Sequence, residues 1–388
     1  MIKLNPKILL VDNGFIGENN SSYYVSGSTN EFIKDLTKLG IDVNLMQFHK
    51  ESIANENVLE AELKNKFISV RFNDNNFLLK IISYFKLVFK LLLNIYKFDY
   101  IYIFYPGNLN YLVLFLSFLF NKKYGLYVRG ELNYKLPFLK HILSKANLIV
   151  TNNPIILKEL LIYNDNSKMI ISYKKLGNEI PVLPNKFEKK SINLNSPFNL
   201  LFVGRVEVRK GVIELIDACK LLIKNKINFK LVLVGGGELY ESIKNIIKSD
   251  LVLNSHIELV GLINDPERMK SYYLNSDVFV FPSHTEGFPR VIFDSMLYNL
   301  PVITTMVGGI PGFMNHNYNC LEIKVNDSHD IYDKIMLLHN NEDLINKLQL
   351  NNFNNLKHLF HKDLVLHKNL IKDTLDDIAK SKNNLQDK

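Results

Sequence analysis

A chain of 388 residues exceeds the ~100–200 residues of an average domain, so two domains are expected. Hydrophobic residues at 47% and charged residues at 22% exclude a disordered chain, and two cysteines exclude a disulfide scaffold or a Cys/His zinc site. The net charge of +8 favours anionic partners: nucleotides, phosphates, nucleic acid or an acidic membrane.

Residues 1–12 have no signal-peptide layout, because Lys7 interrupts them and Asp12 ends them; a cytoplasmic, reducing location is expected. Residues 7–12 read as a short buried strand. Ser28-Thr-Asn-Glu31 then reads as a capping box that opens a helix with Phe32, Ile33, Leu36 and Leu39 on one face, stopped by Gly40. A second strand is expected at 42–46. The apolar region 77–120 is not a membrane span, since Lys80, Lys86, Lys90 and Lys97 interrupt it and Tyr105-Pro106-Gly107-Asn108 breaks it. On a helical wheel Lys86, Lys90 and Lys97 share one narrow sector, with Asn94 beside them. The helix either packs on a sheet with a solvated lysine edge or touches an anionic membrane. Further strands are expected at 100–104, 123–128 and 148–151. Strands alternating with helices imply a parallel sheet.

Polar, aperiodic residues with Gly177, Pro181, Pro184 and Pro197 make 172–198 an interdomain linker. A second alternating series follows, with strands at 199–203, 230–234, 257–260, 278–281 and 301–305, and a polar helical tail from 340. The expected domains are 1–185 and 186–365, with a C-terminal helix at 366–388 packing back on the first. Tyr102, Phe104 and Tyr105 serve either as core or as a platform for an acceptor.

In a parallel sheet, ligands bind beyond the carboxyl ends of the strands. The first strand of the second series is followed by Gly204, Arg205 and Lys210 just before a helix, where two cations beside a positive helix end suit phosphate. Arginine is rare here, at six positions, so Arg129, Arg205 and Arg290 are candidates for its bidentate fork. Gly235-Gly236-Gly237 follows the second strand, as a flexible turn or a ligand approach. The fourth is followed by Glu286-Gly-Phe-Pro-Arg-Val-Ile-Phe-Asp294, with Pro289 suited to the first turn of a helix. The amides of Gly287, Phe288 and Arg290 can meet an anion, while Glu286 and Asp294 offer fixed acceptors for sugar hydroxyls. Val307-Gly-Gly-Ile-Pro-Gly312 follows the last strand. His284 reads as a loop residue. No Asp-x-Asp ends a strand, so no metal and no other cofactor is expected.

These motifs, in this order over residues 200–312, resemble a retaining glycosyltransferase of the family-4 group, whose signature of two glutamates eight residues apart is matched by Glu286 and Asp294. Tyr127-Val-Arg129-Gly-Glu131 is similar to the group's central loop, with Arg129 where many members have histidine. The resemblance implies a GT-B fold, two Rossmann-like parallel-sheet domains facing across a cleft, and a UDP- or GDP-sugar donor. It also implies roles. Arg205 and Lys210 would bind the donor diphosphate, Glu286 the transferred sugar, and Gly287, Phe288, Pro289, Arg290 and Val291 the sugar or phosphate oxygens. Asp294 would take the ribose hydroxyls. Gly261, Leu262 and Ile263 would lie near the base, and Gly27 and Ser28 near the phosphates. The acceptor would be a saccharide or lipid-linked saccharide. Rival readings are a nucleotide-sugar 2-epimerase of the same architecture and a non-catalytic binding subunit. Nucleic-acid binding has no recognised module.

Overall fold

The computed structural model describes residues 5–19, 22–51, 58–60, 66–73, 76–130, 132–170, 187, 196–287, 289–361 and 367–386. The chain forms two compact units, Met1–Ile170 with Val365–Lys388, and Ile171–Leu364. The expected linker at 172–198 lies largely outside the described residues.

The first unit is built on strands β1 (Lys7–Asn19), β2 (Ser22–Ser26), β3 (Asp42–Glu51), β4 (Val58–Glu60), β5 (Phe67–Arg71), β6 (Tyr100–Tyr105), β7 (Tyr124–Val128), β8 (Leu148–Thr151) and β9 (Ser167–Met169). Its parallel body runs β5-β3-β1-β6-β7-β8-β9, with Ile8 opposite Val43 on one side and Tyr100 on the other. The far end of β1 pairs antiparallel with β2, and β2 with β4. Strands covered on both faces need unbroken apolar runs, and β1 supplies one. Leu9 and Val11 enter the core on one face and Ile8 and Leu10 the core on the other. The helix Asn108–Leu119 covers the first face; Gly27–Lys38 and His367–Gln386 cover the second. Tyr102, Phe104 and Tyr105 are buried core residues.

Two local expectations need correcting. The capping residue of Gly27–Lys38 is Ser26, whose side chain accepts from the Thr29 amide at 3.3 Å, so Ser28 lies inside the helix. The helix Phe77–Asn94 buries Ser83, Leu87 and Leu91 and leaves most of its apolar residues in solvent. Its packing face is a narrow stripe.

The second unit has strands β10 (Phe198–Val203), β11 (Phe229–Val234), β12 (Ile257–Gly261), β13 (Val278–Phe281), β14 (Val302–Thr304) and β15 (Leu321–Glu322). All pair in parallel, in the order β12-β11-β10-β13-β14-β15. The chain starts mid-sheet at β10, winds out to β12, then crosses to β13 and continues the other way. The order reverses between β10 and β13, the point in a parallel sheet beside which ligands bind at the carboxyl edge.

Candidate active site

The loop after β10 turns at Gly204, passes Arg205 and Glu207, and tightens into the short helix Val208–Lys210 before the helix Val212–Lys224. The loop after β13 carries Ser283, His284 and Glu286 to the helix Arg290–Leu297. Pro289 caps that helix rather than occupying its first turn. These two loops flank the reversal point, and they meet through side chains.

The Lys210 ammonium is hydrogen-bonded to Glu286 Oε1, with side-chain exposures of 10% and 8%. Ser283 Oγ donates to the same carboxylate oxygen at 2.8 Å, and the lysine lies 5.5 Å from the Phe281 ring centre. Covering one such charge alone would be costly, and the pairing offsets that cost. Arg205 stands differently. It is 64% exposed and pairs with Glu207 Oε1 at 2.9 Å, while Arg209 holds Glu207 Oε2 at 2.7 Å. Burial acts to raise the Glu207 carboxyl, but the Arg209 hydrogen bond and the charges of Arg205, Arg209 and Lys210 hold it below the usual carboxylate range. The result is a cationic loop with one lysine fixed and one guanidinium extended toward solvent. His284, read from sequence as a loop residue, has a partner: its Nε2 lies 3.5 Å from Glu214 Oε1.

Asp294 sits in the second turn of the helix Arg290–Leu297. Burial raises its carboxyl to about 7, against the pull of Arg290. Gly287 and Arg290 are exposed, Pro289 is buried and Val291 is half-buried; Phe288 lies outside the described residues. Gly261 ends β12, and its carbonyl accepts from the Gly235 amide at 2.8 Å; Leu262 is exposed and Ile263 packs on the core. Gly204, Gly235 and Gly261 thus line one sheet edge in strand order.

Two glycines hold the loops close. A Cβ on Gly235, at φ +141°, would stand 1.8 Å from the Gly204 carbonyl oxygen. Gly308, at φ +57°, would put one 1.6 Å from the Glu286 carbonyl oxygen, and the neighbouring Gly309 amide donates to Gly287 at 3.1 Å. The loop after β14 is therefore a backbone brace for Glu286. Gly308→Ala should lower stability by ~1–3 kcal/mol and displace Glu286, cutting turnover per folded molecule. Melting and kinetics test this; an unchanged variant removes the brace from the site.

The first unit has its own cluster, which sequence reading found in part. The Arg129 guanidinium lies over Phe104 at 3.9 Å and Tyr127 at 4.8 Å, with Nη1 3.9 Å from Asp12 Oδ1. Thr29 Oγ1 donates to Asp12 Oδ2 at 2.6 Å, so Asp12 links Arg129 to the helix that begins at Gly27 and Ser28. Glu131, the neighbour in sequence, lies outside the described residues. His367 was not foreseen: Tyr102 Oη lies 2.6 Å from its Nε2, and burial, then Arg129, lowers it to about 3. Nothing in the flanking residues Leu366 and Lys368 hints at its place among the rings of Phe32, Tyr102 and Tyr127. Among the described residues no cluster of His, Cys, Asp or Glu is placed to hold a metal.

The chain is similar to known proteins. The family "Glycosyl transferases group 1" matches residues 184–354. An uncharacterised glycosyltransferase of Methanocaldococcus jannaschii is 37% identical over 173 residues, covering 44% of this chain and 47% of that protein. The capsular polysaccharide biosynthesis glycosyltransferase CapM of Staphylococcus aureus is 29% identical over 58% of this chain and 57% of its own. The chain thus spans about half the length of the curated relatives it matches. The structure of Anabaena HepE in complex with UDP superposes with a TM-score of 0.60 at 18% identity, covering 96% of this chain and all of that one. The chain has the two Rossmann-like domains of the GT-B fold.

Proposed function

We propose that the chain is a retaining glycosyltransferase of the family-4 group, moving a sugar from a UDP- or GDP-activated donor to a saccharide or lipid-linked saccharide. Its setting is the synthesis of surface polysaccharide or glycolipid, in the cytoplasm and peripheral at the inner membrane face. The observation that carries the reading is the covered Lys210–Glu286 pair at the point where the strand order reverses. The capsular polysaccharide role named for CapM and the UDP named for HepE agree with it.

In this reading Lys210 and Arg205 face the donor diphosphate and Glu286 the sugar. Glu286, itself held by the Ser283 hydroxyl, fixes the ammonium before the donor arrives, so it needs no reorganisation when negative charge builds on the leaving group. The leaving diphosphate takes the acceptor proton from the same face, which keeps the anomeric configuration without a carboxylate nucleophile. Gly287, Pro289, Arg290 and Val291 border the sugar, Asp294 holds ribose, and Gly261 to Ile263 flank the base. The same resemblance assigns phosphate to Gly27 and Ser28 and sugar to Arg129.

A thermal-shift screen with nucleoside diphosphates, followed by transfer assays with a panel of nucleotide sugars and a chelator arm, tests this. A UDP or GDP shift with chelator-resistant transfer is expected. Inversion of the donor sugar at C2 would assign the epimerase reading, binding without turnover the binding-subunit reading, and no shift at all would end the donor-site assignment.

A further inference from the structure

The helix Phe77–Asn94 presents its apolar side to solvent. At about 100° per residue, Leu78, Ile82, Phe85, Phe89, Leu92 and Leu93 fall within an arc about 100° wide, opposite the stripe of Ser83, Leu87 and Leu91 that packs on the unit. Phe85 is 71% exposed, Phe89 63% and Leu93 64%. The patch continues past the helix end, where Tyr96 is 72% exposed and stands edge-on to Phe120 at 6.4 Å. Apolar rows this long on a surface mark an interaction site.

Charge decides what covers it. Lys86 and Lys90 border the arc along one edge, between it and the buried stripe, and exposed Lys97 follows in the short turn Ile95–Lys97. Lys90 also donates to the Ser69 carbonyl at 2.8 Å, and Lys122 lies 5.5 Å from the Tyr96 ring centre. No acidic residue occurs from Phe77 to Lys97. A protein partner would meet aromatic residues edged by cations of one sign; so would a second copy, whose own lysines would repel them. Acyl chains beneath anionic headgroups match both features, since aromatic and leucine side chains sink in while lysines reach phosphates. No helix among the described residues is long and apolar enough to cross a membrane, so this one would lie along the surface.

We propose that the helix Phe77–Asn94 seats the chain on an anionic lipid bilayer through this arc, with Lys86, Lys90 and Lys97 at the headgroups. The proposal rests on the peripheral location inferred above and is independent of the transfer chemistry. The lysines each contribute roughly fivefold in affinity, screened over about 8 Å at physiological salt.

The chain has no tryptophan, so Phe85→Trp in the full chain is a single reporter at an exposed position. Phosphatidylglycerol-containing vesicles should shift its emission to the blue and brominated acyl chains should quench it, with little change on neutral vesicles. Lys86→Glu with Lys90→Glu should weaken binding by ~10-fold or more at low salt. Phe85→Ser with Phe89→Ser should abolish co-sedimentation with melting unchanged. Vesicle binding without quenching, no binding at low salt, or emission already blue in a lipid-free oligomer each overturns the proposal. The nucleotide thermal shift, read on the same samples, separates a failure of this surface from a failure of the donor site.

Discussion

Lys210→Ala should lower turnover by ~10²–10³ and the melting temperature as well, whereas Arg205→Ala should lower turnover by a similar factor and leave melting nearly untouched. The difference follows from burial. Arg205 is 64% exposed, and its partner Glu207 keeps Arg209, so removing it strands no charge. Lys210 and Glu286 are 10% and 8% exposed in their side chains, and losing the lysine leaves a covered carboxylate that still accepts from Ser283 Oγ. Breaking such a pair from one side costs about 3–5 kcal/mol, while replacing both members by neutral groups is far milder. Lys210→Met with Glu286→Gln should therefore regain most of the lost stability and none of the lost turnover. Glu286→Ala alone should reduce the maximal rate by more than it weakens nucleotide binding, because charge changes at the sugar as its bond breaks. Recovery of turnover together with melting in the double variant would make the pair structural and sink its assigned chemistry.

The fold was legible where the sheet is buried on both faces. Residues 148–150 and 278–281 are continuous apolar runs, and the strands end within one residue of them. Strands at the margins gave no such signal. Ser167–Met169 and Leu321–Glu322 are two or three residues long, and Ser22–Ser26 takes its register from the far end of β1. The loops after β10 and β13 were readable as sites because Gly, Lys, Arg and Glu follow strands in a parallel series, a local signal. Their pairing was not: Lys210 and Glu286 are 76 residues apart, and only the sheet order makes them neighbours. Likewise Asp12 shows in sequence as the end of a strand, and its contact with Arg129 exists because β1 and β6 are adjacent and β7 follows. The exposed helix was half legible. Periodicity gave its lysine sector, but it cannot say which face of an apolar helix meets the core.

Asp294 should show its role in opposite pH trends of stability and binding. Its carboxyl is raised from 3.8 to about 7, so between those values the folded chain keeps a proton that the unfolded chain has released. Stability from this group is then complete below the unfolded value and is lost as pH rises through 7, by up to ~4 kcal/mol for three units. Asp294→Asn, neutral at every pH, should melt higher than the parent at pH 8 and alike near pH 4. Ribose hydroxyls donate best to the ionised carboxylate, so the parent's donor affinity should improve from pH 6 to 8. Asp294→Ala should mainly raise the donor Michaelis constant, by ~10-fold for ~1.4 kcal/mol of hydrogen bonding, since ribose is gripped alike in ground and transition states. Asp294→Glu, one methylene longer, should be tolerated and should tighten nucleotide binding. If the carboxylate merely complemented the helix dipole, ionisation would stabilise the fold, and melting would rise with pH. Its place in the second turn argues against that role, because the dipole's field is strongest at the first turn. Melting and donor titration of the parent, Asp294→Asn and Asp294→Ala at pH 5, 6.5 and 8 decide the matter. A donor affinity flat with pH and unchanged in both variants would remove Asp294 from the nucleotide site.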